Sequence, residues 1–114
     1  MPFADSATDL AMQLDRALRR VFPAAASGYL VRELRDDDHP WVRASFVLYE
    51  YWEIDFVYDR GAFGFSIPFR NVDVPVVRGP NEGQTIADLD EILEELGARV
   101  RLRIPDKYLA EWGV

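Results

Sequence analysis

The sequence predicts an α+β domain: an N-terminal helix, an antiparallel β-meander of about four strands, and a C-terminal acidic helix packed on one sheet face. Three observations predict it. Trp52, Ile54, Phe56 and Tyr58 share one parity with Glu53 and Asp55 between them, and Phe63, Phe65, Ile67 and Phe69 share another with Gly64 and Ser66 between. Strict alternation is the period of a strand with one apolar face. The two runs are joined by Asp59-Arg60-Gly61, a turn sequence in which Gly supplies the φ > 0 of a tight hairpin. Stretches of helical period lie before and after this region, and 114 residues make one domain with a thin core.

The elements follow in order. In residues 5–22, Ala7, Leu10, Leu14, Ala17, Leu18 and Val21 recur at helical spacing. Ser6 or Asp5 caps the start, Asp9 sits in the first turn, Arg16, Arg19 and Arg20 favour the last turns, and Pro23 ends the helix. Residues 24–28 read as a linker and 29–35 as a less regular strand. Asp36-Asp37-Asp38-His39-Pro40 is a loop, because Pro40 removes a ladder donor and the charge density is high. In residues 41–49, Val42, Ala44, Phe46 and Leu48 share the parity of the later Trp52–Tyr58 run, and no Gly, Pro or Asn separates the two. One long bent strand and two strands joined at a corner both fit. Strands average about 5–6 residues, which favours a break near Glu50.

Residues 70–84, with Pro75, Gly79, Pro80, Asn81 and Gly83, read as a long connection holding a short extended piece at 74–77. Thr85 caps a second helix with Asp88 in the capping-box position, and Ile86, Leu89, Ile92, Leu93 and Leu96 form its buried stripe. Gly97 is expected as a left-handed C-terminal cap. Residues 99–104 alternate Arg and apolar, which reads as a one-face strand, and Asp106 caps a final helical turn over 107–112.

Composition bounds the function. The net charge is −7, from 13 basic and 20 acidic residues. That balance argues against nucleic acid as a partner, since phosphate binding needs a cationic footprint. There is no cysteine, hence no disulfide framework and no thiolate metal site, which fits a reducing cytoplasm. The segment from Met1 to Asp5 shows no secretory leader, and no apolar run reaches the ~20 residues of a membrane span. Apolar residues are 49% and aromatics 13%, the latter gathered around the hairpin.

No motif carries a specific chemistry. Asp36, Asp37 and Asp38 are adjacent rather than alternating, so they lack the spacing of a calcium loop. His39 is the only histidine, and no nucleophile elbow surrounds any serine. The glycines form no phosphate loop. Catalytic residues, metal ligands and cofactors are therefore not expected. What remains is charge. Residues 29–60 hold eight acidic and four basic groups, and residues 81–98 hold six acidic and no basic groups. On the second helix Asp88, Glu91 and Glu95 share one side, and Asp90 and Glu94 stand at i, i+4, where like charges repel. A cationic partner would give these residues a role; a solvated face, or neutralisation by Arg99, Arg101 and Arg103, is the plainer reading. Glu53 and Asp55 share the polar face of their strand, with Tyr49, Tyr51 and Trp41 close in sequence, and aromatics beside charge make interface hot spots. Candidate partner-binding residues are thus Asp36, Asp37, Asp38, Glu53, Asp55, Asp88, Glu91, Glu94, Glu95, Tyr49 and Tyr51.

Residues 46–67, from Phe46 through Tyr49-Glu50-Tyr51-Trp52 and Asp59-Arg60-Gly61 to Ile67, together with the helix–meander–acidic helix layout, resemble small bacterial immunity proteins of contact-dependent growth inhibition and polymorphic toxin systems. The resemblance implies a cytoplasmic, non-enzymatic antitoxin. Such a protein would block a cognate toxin domain, often a basic nuclease, through an acidic surface. It would have no membrane or nucleic-acid partner and would exist as a monomer or weak dimer. It carries no family motif residues onto this chain. A ligand-binding or regulatory α+β domain, with its pocket between sheet and helices, is the alternative.

Overall fold

Three tight turns set the architecture. Asp59-Arg60-Gly61-Ala62 closes a two-residue hairpin with Arg60 at φ 51° and Gly61 at φ 84°, the left-handed pair that matches strand twist. Phe69-Arg70-Asn71-Val72 does the same with Arg70 at φ 51° and Asn71 at φ 67°. Between Leu48 and Trp52 the loop is three residues long, and Tyr49 and Glu50 take φ values of 57° and 51°. The computed structural model describes residues 3–113; Met1 and Pro2, part of the segment read for a secretory leader, and Val114 lie outside the described residues.

The chain runs α1 (Ala7–Val21), β1 (Ala26–Arg35), β2 (Trp41–Leu48), β3 (Trp52–Asp59), β4 (Ala62–Phe69), β5 (Val72–Gly79), a 3-10 turn (Ile86–Asp88), α2 (Leu89–Arg101), a short α3 (Asp106–Leu109) and a final 3-10 turn (Ala110–Trp112). The strands form one antiparallel meander in the order β1-β2-β3-β4-β5. The α+β class holds, with five strands rather than about four. The added strand is β5, which the proline-rich reading left inside a connection. Pro75 is tolerated because β5 is an edge strand. Ser66 faces Pro75 while Phe65 faces Val77, so Val76 is the extra residue of a bulge. Both Val76 and Val77 are buried there.

The junction at Glu50 resolves into two strands. An odd loop of three residues keeps Leu48 and Trp52 opposite each other, so the even parity stays on one face throughout β2 and β3. The left-handed loop costs about 1–2 kcal/mol per non-glycine residue. A turn bond from Tyr51 N–H to the Leu48 carbonyl at 3.1 Å closes it, and a tertiary bond from Tyr49 N–H to the Ala25 carbonyl at 2.8 Å helps to hold it. The Tyr108 hydroxyl donates to the Tyr49 carbonyl at 2.9 Å.

Both long helices pack on the even-parity face. Ser6 caps α1, its hydroxyl accepting from Asp9 N–H at 3.0 Å. The apolar stripe of α1 buries Leu10, Leu14, Ala17 and Leu18 over β1 and β2, and α2 buries Leu89, Ile92, Leu93, Leu96 and Val100 toward β5. Between them and the sheet lie Phe46, Phe56 and Phe65, with the Phe56 and Phe65 rings 4.8 Å apart. Each such fully buried side chain contributes about 1.5–3 kcal/mol of transfer free energy.

The segment 99–104 is not a strand. Residues up to Arg101 complete α2, so Gly97 is an interior helical residue and not a cap. The apparent alternation of Val100, Leu102 and Ile104 is the i, i+4 stripe of Leu96, Val100 and Ile104 seen at the wrong period. Val100 is fully buried and Leu102 is 85% exposed, which a strand of one apolar face forbids.

Candidate partner-binding surface

Of the candidate carboxylates, Asp36, Asp37, Glu53, Asp88 and Glu95 are engaged within the chain. Thr85 and Asp88 form a reciprocal capping box, with Thr85 N–H donating to Asp88 Oδ2 at 2.8 Å. Asp90 accepts a two-pronged contact from Arg20 at 2.9 and 3.2 Å, tying α2 to α1. Glu95 accepts from Arg99 Nη2 at 2.6 Å, while Arg99 Nη1 donates to the Val76 carbonyl at 2.8 Å, so one guanidinium joins α2 to β5. Of the four α2-region carboxylates in the sequence-derived set, Asp88 and Glu95 are thus structural; Glu91 and Glu94 stand exposed with no ion pair among the described residues.

The Asp36-Asp37-Asp38 loop divides in the same way. Asp36 reaches across the fold to the start of α1. Its Oδ1 accepts from Ala7 N–H at 2.7 Å and its Oδ2 from Thr8 N–H at 3.2 Å and from the Thr8 hydroxyl. The Thr8 hydroxyl and then the Ala7 amide hold the Asp36 carboxyl below its ordinary value, because both bonds favour the charged form. Asp37 accepts from His39 N–H at 2.9 Å and folds the loop. Asp38 alone is left without a partner bond among the described residues. No group of three or more His, Asp or Glu residues with metal-binding geometry occurs among the described residues.

The aromatic part of the sequence-derived set separates. Tyr49 is only 3% exposed, its ring edge-on to Trp112 at 5.8 Å, so it is a core residue and not a contact presented to solvent. Tyr51 is 40% exposed and stands edge-on to Trp52 and Tyr108, at 5.2 and 5.0 Å. Trp41 pairs with Asp59 at the far end of β2, seven residues along the strand from Leu48, and so is remote from Tyr51.

Glu53 and Asp55 lie on the sheet face opposite the helices. Their cross-strand partners are Val47 for Glu53, and Ser45 and Ser66 for Asp55, with Gly64 beside Val57 in the next row. The side chains directly opposite Asp55, Ser45 and Ser66, are small. Arg32 Nε donates to Ser45 Oγ at 2.9 Å and its Nη2 lies 3.6 Å from Glu53, fixing one border. Asp73, on β5 opposite Pro68, is a third carboxylate near enough to act on Asp55. Partial burial raises the Asp55 carboxyl above its ordinary value, the charges of Glu53 and Asp73 add to that, and Arg43 and Arg32 oppose it.

One feature had no counterpart in the sequence-derived set. Arg101 at the end of α2 donates from Nη1 to the Tyr49 hydroxyl at 2.8 Å. It lines a cleft of about 420 Å³ with Glu94, Val21, Phe22, Pro23 and Trp112. The signal available in sequence was the i, i+7 spacing of Glu94 and Arg101, which only a helix running past Gly97 places on one side. Among the described residues no helix is long and apolar enough to cross a membrane. No protein-family model matches the chain, and neither a curated protein nor a solved structure matches it.

Proposed function

We propose that the chain is a non-enzymatic immunity protein: a cytoplasmic, monomeric or weakly dimeric inhibitor that binds a cognate cationic toxin domain of a bacterial contact-dependent system. The observation that carries this reading is the helix-free sheet face, on which Asp55 of the central strand has Glu53 and Asp73 near it. A partly desolvated carboxylate beside two like charges gains free energy when a cationic side chain is laid against it, and more so than a fully solvated one. A face of this kind accommodates a partner's basic groove, with the carboxylates taking the place of substrate phosphates. Glu91 and Glu94, on α2 in the helix layer, form a separate acidic patch on the other side of the sheet.

The test begins with the neighbouring genes: the reading expects a large secreted protein with a variable C-terminal domain beside this one, and that domain is co-expressed with the chain. Rescue of growth and a complex that survives gel filtration are expected. Neither occurring sinks the reading. Asp55→Lys and Glu53→Lys should slow association and flatten its salt dependence, whereas a loss seen only with Glu91→Lys and Glu94→Lys would move the interface to α2.

A further inference from the structure

The cleft at the end of α2 has the chemistry of a ligand site, and this is independent of the inhibitor reading. Its walls are Val21, Phe22 and Pro23 from the end of α1, Trp112 from the last turn, and Glu94 and Arg101 from one side of α2. At about 420 Å³ it falls within the range of small-molecule pockets, about 300–1,000 Å³.

Arg101 is the unusual group. Arg16, Arg35, Arg70, Arg78, Arg103 and Lys107 also lack a carboxylate within 4.0 Å among the described residues, and all six are exposed. Arg101 alone of the cations without such a partner is partly buried. It does not pair with Glu94, although both line the same cleft. The guanidinium is anchored at one nitrogen. Nη1 donates to the Tyr49 hydroxyl, and the missing side chain at Gly97 makes the room, since a Cβ there would sit 3.2 Å from Nη1 and 2.8 Å from the Phe22 ring. A guanidinium has five N–H donors in a rigid fork suited to a carboxylate, and the described residues occupy one nitrogen.

We propose that this cleft binds a small amphipathic carboxylate of the aromatic or branched amino-acid class. The carboxylate engages Arg101, the apolar body lies against Trp112 and Phe22, and the ammonium group faces Glu94. A zwitterion satisfies both charges of the cleft, whereas a plain acid or a plain amine satisfies one.

The whole chain is titrated with L-phenylalanine, 3-phenylpropionate and 2-phenylethylamine, followed by calorimetry and by the Trp112 indole N–H signal in NMR, assigned through Trp112→Phe. Expected are saturable shifts at the Trp112 indole in the order phenylalanine, phenylpropionate, phenylethylamine. Arg101→Gln should weaken both carboxylates by about tenfold or more, the scale of one lost charge-assisted pair. Glu94→Gln, at an exposed position that leaves the fold intact, should weaken phenylalanine and spare phenylpropionate. Absence of a saturable shift with all three probes overturns the site. Unchanged carboxylate affinity in a folded Arg101→Gln protein overturns it as well. Unchanged phenylalanine affinity in Glu94→Gln overturns the zwitterion assignment.

Discussion

Replacing Gly97 by alanine pits two effects of opposite sign against each other. In an ordinary helix interior the change stabilises by about 1 kcal/mol, because alanine restricts the unfolded chain and favours the helix. Gly97 is not at an ordinary position. A Cβ built on it falls 2.8 Å from both Cε1 and Cζ of Phe22, a distance that real Cβ atoms do not show. The contact to Arg101 Nη1 at 3.2 Å is with the end of a flexible chain and yields cheaply; the phenyl ring does not, since Phe22 is buried between the helices at 5% exposure. Overpacking of this kind costs about 1–3 kcal/mol, so the balance is a net loss of up to about 2 kcal/mol. For a domain of this size that is a fall in Tm of several degrees, at roughly 4–8 °C per kcal/mol. The assay is urea and thermal unfolding of the wild type, Gly97→Ala, Phe22→Leu and the double variant. Leucine removes the two clashing ring carbons, so in that background Gly97→Ala should show its helix gain instead of a loss. The coupling between the two sites should therefore exceed the ~0.3–0.5 kcal/mol within which independent sites add. A Gly97→Ala protein more stable than the wild type, or additivity of the two changes, refutes the close packing of α1 against α2 at this point.

Other expectations are tied to single groups. The Asp36 carboxyl is held below its ordinary value by Thr8 and Ala7, so its contribution to stability is present above the unfolded pKa near ~4 and is lost as pH falls through the folded value. Asp36→Ala should lower Tm at neutral pH and narrow its gap to the wild type in acid; a gap that does not change with pH contradicts the cap at the start of α1. Asp55 has the reverse sign. Its carboxyl is raised by burial and by Glu53 and Asp73, so the contribution that favours the fold exists when it is protonated and disappears as pH rises through the folded value. Asp55→Asn should then melt higher than the wild type at neutral pH, with the difference shrinking in acid, and a lower neutral-pH Tm would show that the ionised group is well compensated. Burial, helped by Asp15, pushes the Tyr29 phenol up to about 12, and its hydroxyl donates to the Ala11 carbonyl at 2.8 Å. Stability from this group is complete below the ordinary value of ~10 and is lost as pH rises through about 12. Difference absorbance in the alkaline range should show a late phenolate step that Tyr29→Phe removes, and an unchanged titration would place the phenol in water.

The parts of this protein that could be read without its structure are those decided by neighbours in sequence. Ser6 and the Thr85–Asp88 box cap their helices where local chemistry says they should, because the partner amides lie two or three residues away. The Asp59-Arg60-Gly61 hairpin and the apolar parity around it needed only the period of a strand and one Gly. Structure alone decided the rest, for three physical reasons. Turns at Tyr49-Glu50 and Arg70-Asn71 use left-handed residues without glycine, and at the first of them distant groups, Ala25 and Tyr108, supply the bonds that hold it. Periods of two and of four coincide at Val100 and Ile104, so alternation could not tell strand from helix until the exposure of Leu102 broke the tie. Charge counts are blind to pairing: Asp36, Asp90 and Glu95 carry formal charge in sequence and are consumed by amides and guanidiniums, those of Asp36 and Asp90 brought near by the fold. What the fold left over is Asp55 on the open sheet face and Arg101 in its cleft, since burial and neighbouring charge are properties of a place in space and not of a position in the chain.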